Sequence, residues 1–464
     1  MKVNLAPLGT TVAVLLASAA TPAVALGDGG GNGNGTSVTC STPALITALE
    51  TVNANGGGTL HLARNCDYQL NGPYGGGSNG LPVIAQRITI KGNGATIERT
   101  GGGDFRIFEV SAPHGDLTAQ DLKISGGRLT TAGQFGAGVY VQRGAGLSLT
   151  DSLVSGNTNT AYYGGAIGSL GSTTLTRTAV TDNSAVRGGG LYSSGSLRIG
   201  KDSRLNTNHT SQNGGGLYLD GGTASIADST LNGNTGAFGG AVDNEFADAE
   251  FDNCVITNNG AANNGGGLYN DAAVVLRNTR FEGNNALRGG AIANEAWVKG
   301  YSVKVKSNEA AMVGGGIYTN FPLEFHDSQI SGNTARFQGG GIYNIWNATL
   351  HRTTVSGNTV TDASGQGAGI FNRTSIVLDD VRVTGNTATG ASSQGGGIYN
   401  FSDANSNTGN LFLTKTKVTD NQAGSAGGVW TGKQFNVFSN SAITGNAPTN
   451  CIGSSIAPVY HCTN

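Results

Sequence analysis

The sequence predicts an all-β fold, a parallel β-helix of roughly 25-residue coils with one short helix closing its N-terminal end. Three observations predict it. A Gly-Gly-Gly/Ala-apolar-aromatic unit recurs twelve times between Val139 and Val429, at a mean spacing of about 26 residues. A second landmark, an asparagine usually after glycine, recurs in the same phase from Asn157 to Asn446. The residue three places before that asparagine is always aliphatic or aromatic, from Val154 through Ile256 and Phe281 to Ile443. Within each unit the apolar spacing is two, as in Thr349-Leu350-His351, and no stretch carries the 3.6 period of a helix. A column without exception is a core position. Leucine-rich repeats have a similar period, but their leucine/asparagine frame is missing. Coils of this length stack as short parallel strands about 4.8 Å apart, so column residues lie over one another.

Composition agrees. Glycine supplies 78 of 464 residues without the strict triplet period of collagen, and hydrophobic residues are plentiful enough to form a core. The 27 basic and 29 acidic residues nearly cancel. No basic footprint exists, which argues against a nucleic-acid partner held by phosphate contacts.

In chain order, residues 1–25 read as a signal peptide. Lys2 precedes the apolar run from Thr11 to Ala20, and Ala23-Val24-Ala25 has the small-residue form of a cleavage site. The run is shorter than the roughly 20 residues needed to span a bilayer. The expectation is a secreted, extracellular monomer with no membrane insertion. Residues 26–38 form a Gly/Asn-rich linker, and residues 39–135 an N-terminal cap with entry coils. There Thr42-Pro43 has the form of a helix start, with Leu45, Ile46, Leu49 and Val52 on one face to cover the open end of the stack. Residues 136–447 are the repeats, and 448–464 a C-terminal disulfide cap. In an oxidising compartment Cys40 pairs with Cys66 and Cys451 with Cys462. Cys254 is left over at a position otherwise filled by Ser, Thr or Val, so it reads as a buried small hydrophobe.

The opening helix, Thr59-Leu60-His61-Leu62 and the run Ile88-Thr89-Ile90-Lys91-Gly92-Asn93-Gly94-Ala95-Thr96-Ile97 together resemble the entry coils of the pectin-lyase-like right-handed β-helix superfamily. The Gly-Gly-Ala/Gly-Ile and Gly-Asn units resemble the repeats of chlamydial polymorphic outer-membrane proteins. The resemblance implies a single-stranded, right-handed parallel β-helix. It is specific for fold and weak for function.

Chemistry is expected where columns break. One residue after the apolar landmark stands a mostly aromatic column that includes Tyr218, Tyr269, Tyr318 and Tyr343, interrupted by Asp243 and Ala293. Alternation with the inward aliphatic points this column outward, where aromatic faces suit sugar rings. Three residues after the landmark, Asp220, Glu245, Asp271 and Glu295 fall on four consecutive coils. Carboxylates about 5 Å apart raise one another's pKa unless a cation lies between them. The row therefore reads as a general acid/base set drawn from Asp243, Glu245, Asp271 and Glu295, or as a Ca²⁺ site at Glu245 and Asp271. Phe246, Trp297 and Trp346 stand beside it. On another face Arg277, Tyr301, His326, His351 and Asp379 stack, and Arg204, Arg280, Lys304, Arg382 and Lys417 recur three positions later. This strip is a candidate seat for a polyanionic glycan.

Two functions follow from different classes. One is an enzyme, a lyase, hydrolase or epimerase acting on an extracellular polysaccharide in a groove along the solenoid. The other is a non-catalytic surface, adhesion or glycan-binding protein whose columns only bind a cell-surface glycan.

Overall fold

The computed structural model describes residues 35–401, 409–432 and 436–453, with backbone alone for 436–438. The expected signal peptide, most of the linker and Cys462 lie outside the described residues. Each regular coil contributes four short strands, such as Thr223–Ala227, Thr230–Asn232, Thr235–Phe238 and Val242–Asn244. All four pair in parallel with their counterparts one coil on, for example Ile226 with Phe251, Leu231 with Ile256, Thr235 with Gly260 and Val242 with Leu268. The pairings build parallel sheets of 29, 11 and 14 strands. The chain is thus the β-solenoid that its period predicts.

Corners follow from residue type. The first two strands of a coil meet at a residue in the left-handed region, such as Asp228 (φ 47°), Asn253 (φ 52°), Asn278 (φ 48°) and Asp327 (φ 51°). Asparagine and aspartate tolerate that conformation best among residues with a side chain. The next residue is small and turns inward, and its hydroxyl donates to the carbonyl two residues back, as Ser229 does to Ala227 (2.6 Å) and Thr279 to Arg277 (2.8 Å). Cys254 occupies this position. Its thiol is buried, reaches the carbonyls of Asp252 and Ile226 at 3.4 Å, and is pushed up to about 12 by burial. A thiol so rarely ionised is inert, as its place in the repeat implied.

The apolar landmark and the residue three before each asparagine fill the interior, with Ile256, Phe281, Val305, Ile292 and Ile317 fully buried. Beside them runs a ladder of amides. Asn259 Nδ2 donates to Asn284 Oδ1 at 2.9 Å, and Asn284 Nδ2 to Asn308 Oδ1 at 2.9 Å. Each of these oxygens also accepts the backbone N–H of the residue below it, and each Nδ2 donates again to a carbonyl such as that of Ile256. The pattern continues coil by coil from Asn157 to Asn446. A second run, two residues after the landmark, links Asn244 to Asn270 to Asn294, and Asn344 to Asn372 to Asn400. Buried amides are tolerated because these hydrogen bonds leave none of the ladder side chains without a partner.

The N-terminal end is closed by helix α1 (Thr42–Ala54), which buries Leu45, Ala48, Leu49 and Val52 and leaves Ile46 half-buried. Its cap is Ser41, one residue before the expected start. Ser41 Oγ accepts the Ala44 N–H at 3.3 Å, while the Thr42 hydroxyl donates away to the Gln69 carbonyl at 2.8 Å. The Cys40–Cys66 disulfide ties the helix to the first coil. The linker ends earlier than its composition suggested, because Thr36–Val38 is a strand paired with Leu60–Leu62 that buries Val38. Polar Thr36 and Ser37 are exposed there, and pairing with a neighbouring strand outweighs their resemblance to linker sequence.

The ladder makes a mid-stack asparagine costly to remove. Asn284→Ala strips partners from the Asn259 amide and backbone N–H, and from two carbonyl-side contacts, at about 1–3 kcal/mol for each buried group left unpaired. The expected result in urea unfolding is a loss of roughly 3 kcal/mol or more, against less than about 0.5 kcal/mol for Asn285→Ala at the exposed neighbouring position.

Candidate functional site

The floor of the site is the column one residue past the landmark. Tyr218, Asp243, Tyr269, Ala293, Tyr318 and Tyr343 lie in register on successive coils. The column points away from the core, as alternation requires, yet it is not open to solvent: Tyr218 and Asp243 are 0% exposed, and Tyr269 and Tyr343 half-buried. A recurring glycine explains this. Gly188, Gly214, Gly239, Gly265 and Gly289 all have positive φ, and a Cβ at Gly214 would lie 2.4 Å from the Leu217 carbonyl oxygen. Only glycine allows this fold-back, which carries the residue before it over the column.

The residues so placed are Arg187, Asn213, Phe238 and Arg288, four positions before the landmark, and the sequence reading passed over them. Arg187 stands over the rings of Tyr163 and Tyr218 at 5.3 and 5.4 Å and donates to the Tyr218 hydroxyl at 3.0 Å. Phe238 packs on Tyr269 with ring centres 5.2 Å apart. Asn213 Nδ2 donates to Asp243 Oδ2 at 2.7 Å. The signal that could have found them is the glycine itself, repeated in phase just before each apolar landmark.

The predicted carboxylate row is assembled as expected. The backbone N–H groups of Asp220, Glu245, Asp271 and Glu295 continue the parallel ladder, each bonded to the coil before it, so the four side chains leave one corner in line. The Tyr192 hydroxyl donates to Asp220 at 2.6 Å, and the Tyr218 hydroxyl to Glu245. Tyr218 therefore positions a carboxylate and offers no face to a ligand. Tyr318, also buried, is likewise closed to a sugar ring.

Charge accumulates along this corner. Partial burial, followed by the charges of Glu295 and Glu245, pushes the Asp271 carboxyl up to about 6 against a lowering hydrogen bond from Tyr269. Burial raises Asp243 well above the usual aspartate range. The neighbouring Glu245 and Asp271 charges add to the effect, and the Asn213 hydrogen bond opposes it. Its Oδ1 is buried with no partner. Asp243 sits beneath the row, so its predicted catalytic contact with a substrate is not available. Among the described residues no group of three or more His, Cys, Asp or Glu is arranged to hold a metal ion, and the Ca²⁺ expectation at Glu245 and Asp271 gains no further ligand.

Outside the floor, the same corner displays the exposed aromatics. Phe246 is 65% exposed, Trp297 37%, Phe321 45% and Trp346 48%. Phe321 and Trp346 are parallel, with ring centres 6.1 Å apart. Phe321, at the same repeat position as Phe246 and Trp346, was not singled out from sequence.

The basic strip is stacked but neutralised. Arg277, Tyr301, His326, His351 and Asp379 pair in register. Arg277 bonds Glu250 at 2.9 Å, His326 meets Glu324 at 2.6 Å, and His351 meets Asp379 at 2.8 Å. Gln329 and Thr354 interrupt the second row between Lys304 and Arg382. No continuous cationic seat for a polyanion results.

No protein-family model and no curated protein matches the chain. Among solved structures it is similar to the A-module of the Azotobacter vinelandii mannuronan C-5 epimerase AlgE6, at 14% identity over 89% of this chain and 95% of that one, with a TM-score of 0.27. It is also similar to the tailspike protein of E. coli bacteriophage HK620 in complex with a pentasaccharide, at 13% identity over 89% and 76% of the two chains, with a TM-score of 0.30. The fold assigned here rests on strand register, not on these likenesses.

Asp243 has a stability consequence. Its folded-state pKa is raised, so the folded chain holds this proton more tightly than the unfolded chain. The benefit is present at low pH and is lost as pH rises above the ordinary aspartate value of about 3.9. Asp243→Asn keeps the shape and removes the charge. At pH 7 the variant is expected to melt above the parent protein, with the difference closing towards pH 4. Melting curves across that range check it, and a lower midpoint at pH 7 contradicts the assignment.

Proposed function

We propose that the protein is secreted and binds an extracellular polysaccharide along the acidic and aromatic corner. The observation that carries the reading is the line of exposed rings, Phe246, Trp297, Phe321 and Trp346, beside a row of carboxylates on consecutive coils. Exposed aromatic faces stack on the apolar faces of sugar rings, and carboxylates accept hydrogen bonds from sugar hydroxyls. The direction of the corner matters as well. It runs along the solenoid axis with a rise of about 4.8 Å per coil, close to the length of one hexose ring, so an extended chain meets a similar surface at each step.

A second reading, an enzyme of the lyase, hydrolase or epimerase type, is favoured by Asp271. A carboxyl titrating near 6 next to Glu245 and Glu295 supplies both a proton donor and a proton acceptor under mild conditions. In that reading Asp271 is the acid and a neighbouring glutamate the base.

The test is binding to a panel of neutral, acidic and amino polysaccharides by affinity electrophoresis. Trp297→Ala and Trp346→Ala are each expected to weaken the best ligand about fivefold to tenfold, the equivalent of about 1 kcal/mol. Retention by neither wild type nor variants overturns the reading. For catalysis, reducing ends and 235 nm absorbance are followed with the same panel. Turnover should fall as pH rises through about 6, where Asp271 loses its proton, and Asp271→Asn should abolish it.

A further inference from the structure

Among the described residues, acidic side chains elsewhere on this solenoid are in part matched and in part, as at Asp248 and Glu309, without a basic partner. Glu250 is paired with Arg277 (2.9 Å), Glu282 with Arg280 (2.6 Å), Glu324 with Lys299 (3.0 Å), and Asp327 with Arg352 (2.6 Å). The row at the candidate site gathers unmatched carboxylates at one repeat position on four consecutive coils. Among the described residues, Asp220, Glu245, Asp271 and Glu295 have no Lys, Arg or His nitrogen within ion-pairing distance. The cations on the opposite wall do not reach them. Arg187 is committed to Gln212 and the Tyr218 hydroxyl, both at 3.0 Å, and Arg288 lies over the Tyr318 ring at 6.0 Å.

A second observation points the same way from beneath. Asp243, fully buried in the floor under the row, has one oxygen with no donor at all. Four carboxylates on consecutive coils, with a partnerless oxygen below them, make a field that Arg187, held on the Tyr218 hydroxyl, neutralises only in part. Phe246 and Trp297, exposed on the same corner, present ring faces that attract cations as well as sugar rings.

Resting on the reading of this corner as a polysaccharide site, we propose that it selects a polymer of amino sugars bearing free, protonated amines. Such a chain carries one ammonium per ring, and one ring per coil delivers one positive charge to each carboxylate. A polyuronate brings a carboxylate to each of the same places and is repelled. An N-acetylated chain has the same shape without the charge.

The experiment is calorimetric titration of the full chain at pH 6 with three hexamers: fully deacetylated β-1,4-linked glucosamine, the N-acetylated form of the same oligomer, and a hexuronate, the last with chelator and again with Ca²⁺. The deacetylated hexamer is expected to bind at least tenfold more tightly than the N-acetylated one, with the advantage shrinking as salt is added. The double variant Glu245→Gln, Asp271→Asn is expected to lose that preference, binding the two glucosamine hexamers with equal affinity. Equal affinity for the two glucosamine hexamers overturns the charge selection and leaves the corner as a glycan site. Tighter binding of the hexuronate, alone or with Ca²⁺, overturns it in favour of an acidic ligand. Failure of all three to bind overturns the polysaccharide site itself.

Discussion

Everything in this molecule hangs on a column of buried amides. An asparagine side chain offers both a donor and an acceptor, and stacking one per coil lets each satisfy the next, so the interior can be polar without an unpaired group. The geometry also sets register. A coil displaced by one residue would replace a ladder asparagine by a flanking residue such as Gly283 or Ser307, leaving its neighbours' amides unpaired, and could carry a polar residue such as Thr257 or Glu282 into the apolar interior, so slippage is penalised twice. Short strands of three residues, too weak to define a sheet alone, are held in place by this column and by the aliphatic one beside it.

The site is a by-product of that regularity. Because register is fixed, residues at one repeat position form a line, and a change of residue type over four coils becomes a surface four coils long. Asp220 to Glu295 make a charged edge in this way without any loop insertion. The glycine fold-back before each landmark then decides what lies under the edge. It brings Asn213 to Asp243 and Arg187 to Tyr218, converting a column that would otherwise face solvent into a packed floor.

Period, strand content, capping helix, one disulfide and the role of Cys254 were legible in the sequence, since each is a property of spacing or of a residue's place in a column. The carboxylate row was legible for the same reason. Burial of the aromatic column was not. Alternation tells which way Tyr218 points from its strand, but not whether another segment returns over it, and that depends on the backbone conformation at Gly188. Salt bridges on the basic strip were also hidden. Arg277 reaches Glu250, which belongs to a different repeat position on the preceding coil, and only three-dimensional register joins the two.

The amide ladder also governs where the chain can be made. Asn208, Asn372 and Asn400 each begin an Asn-x-Ser/Thr triplet, the acceptor signal for N-linked glycans, and all three are 0% exposed. A glycan would be joined at Nδ2, the same nitrogen that donates to Asn234, Asn400 and Thr431 respectively. A bulky sugar has no room there, and the substituted nitrogen cannot complete the stack. For this chain, core glycosylation at those triplets and closure of the solenoid are mutually exclusive, whereas the triplet at Asn347, on an exposed position beside Trp346, is compatible with both.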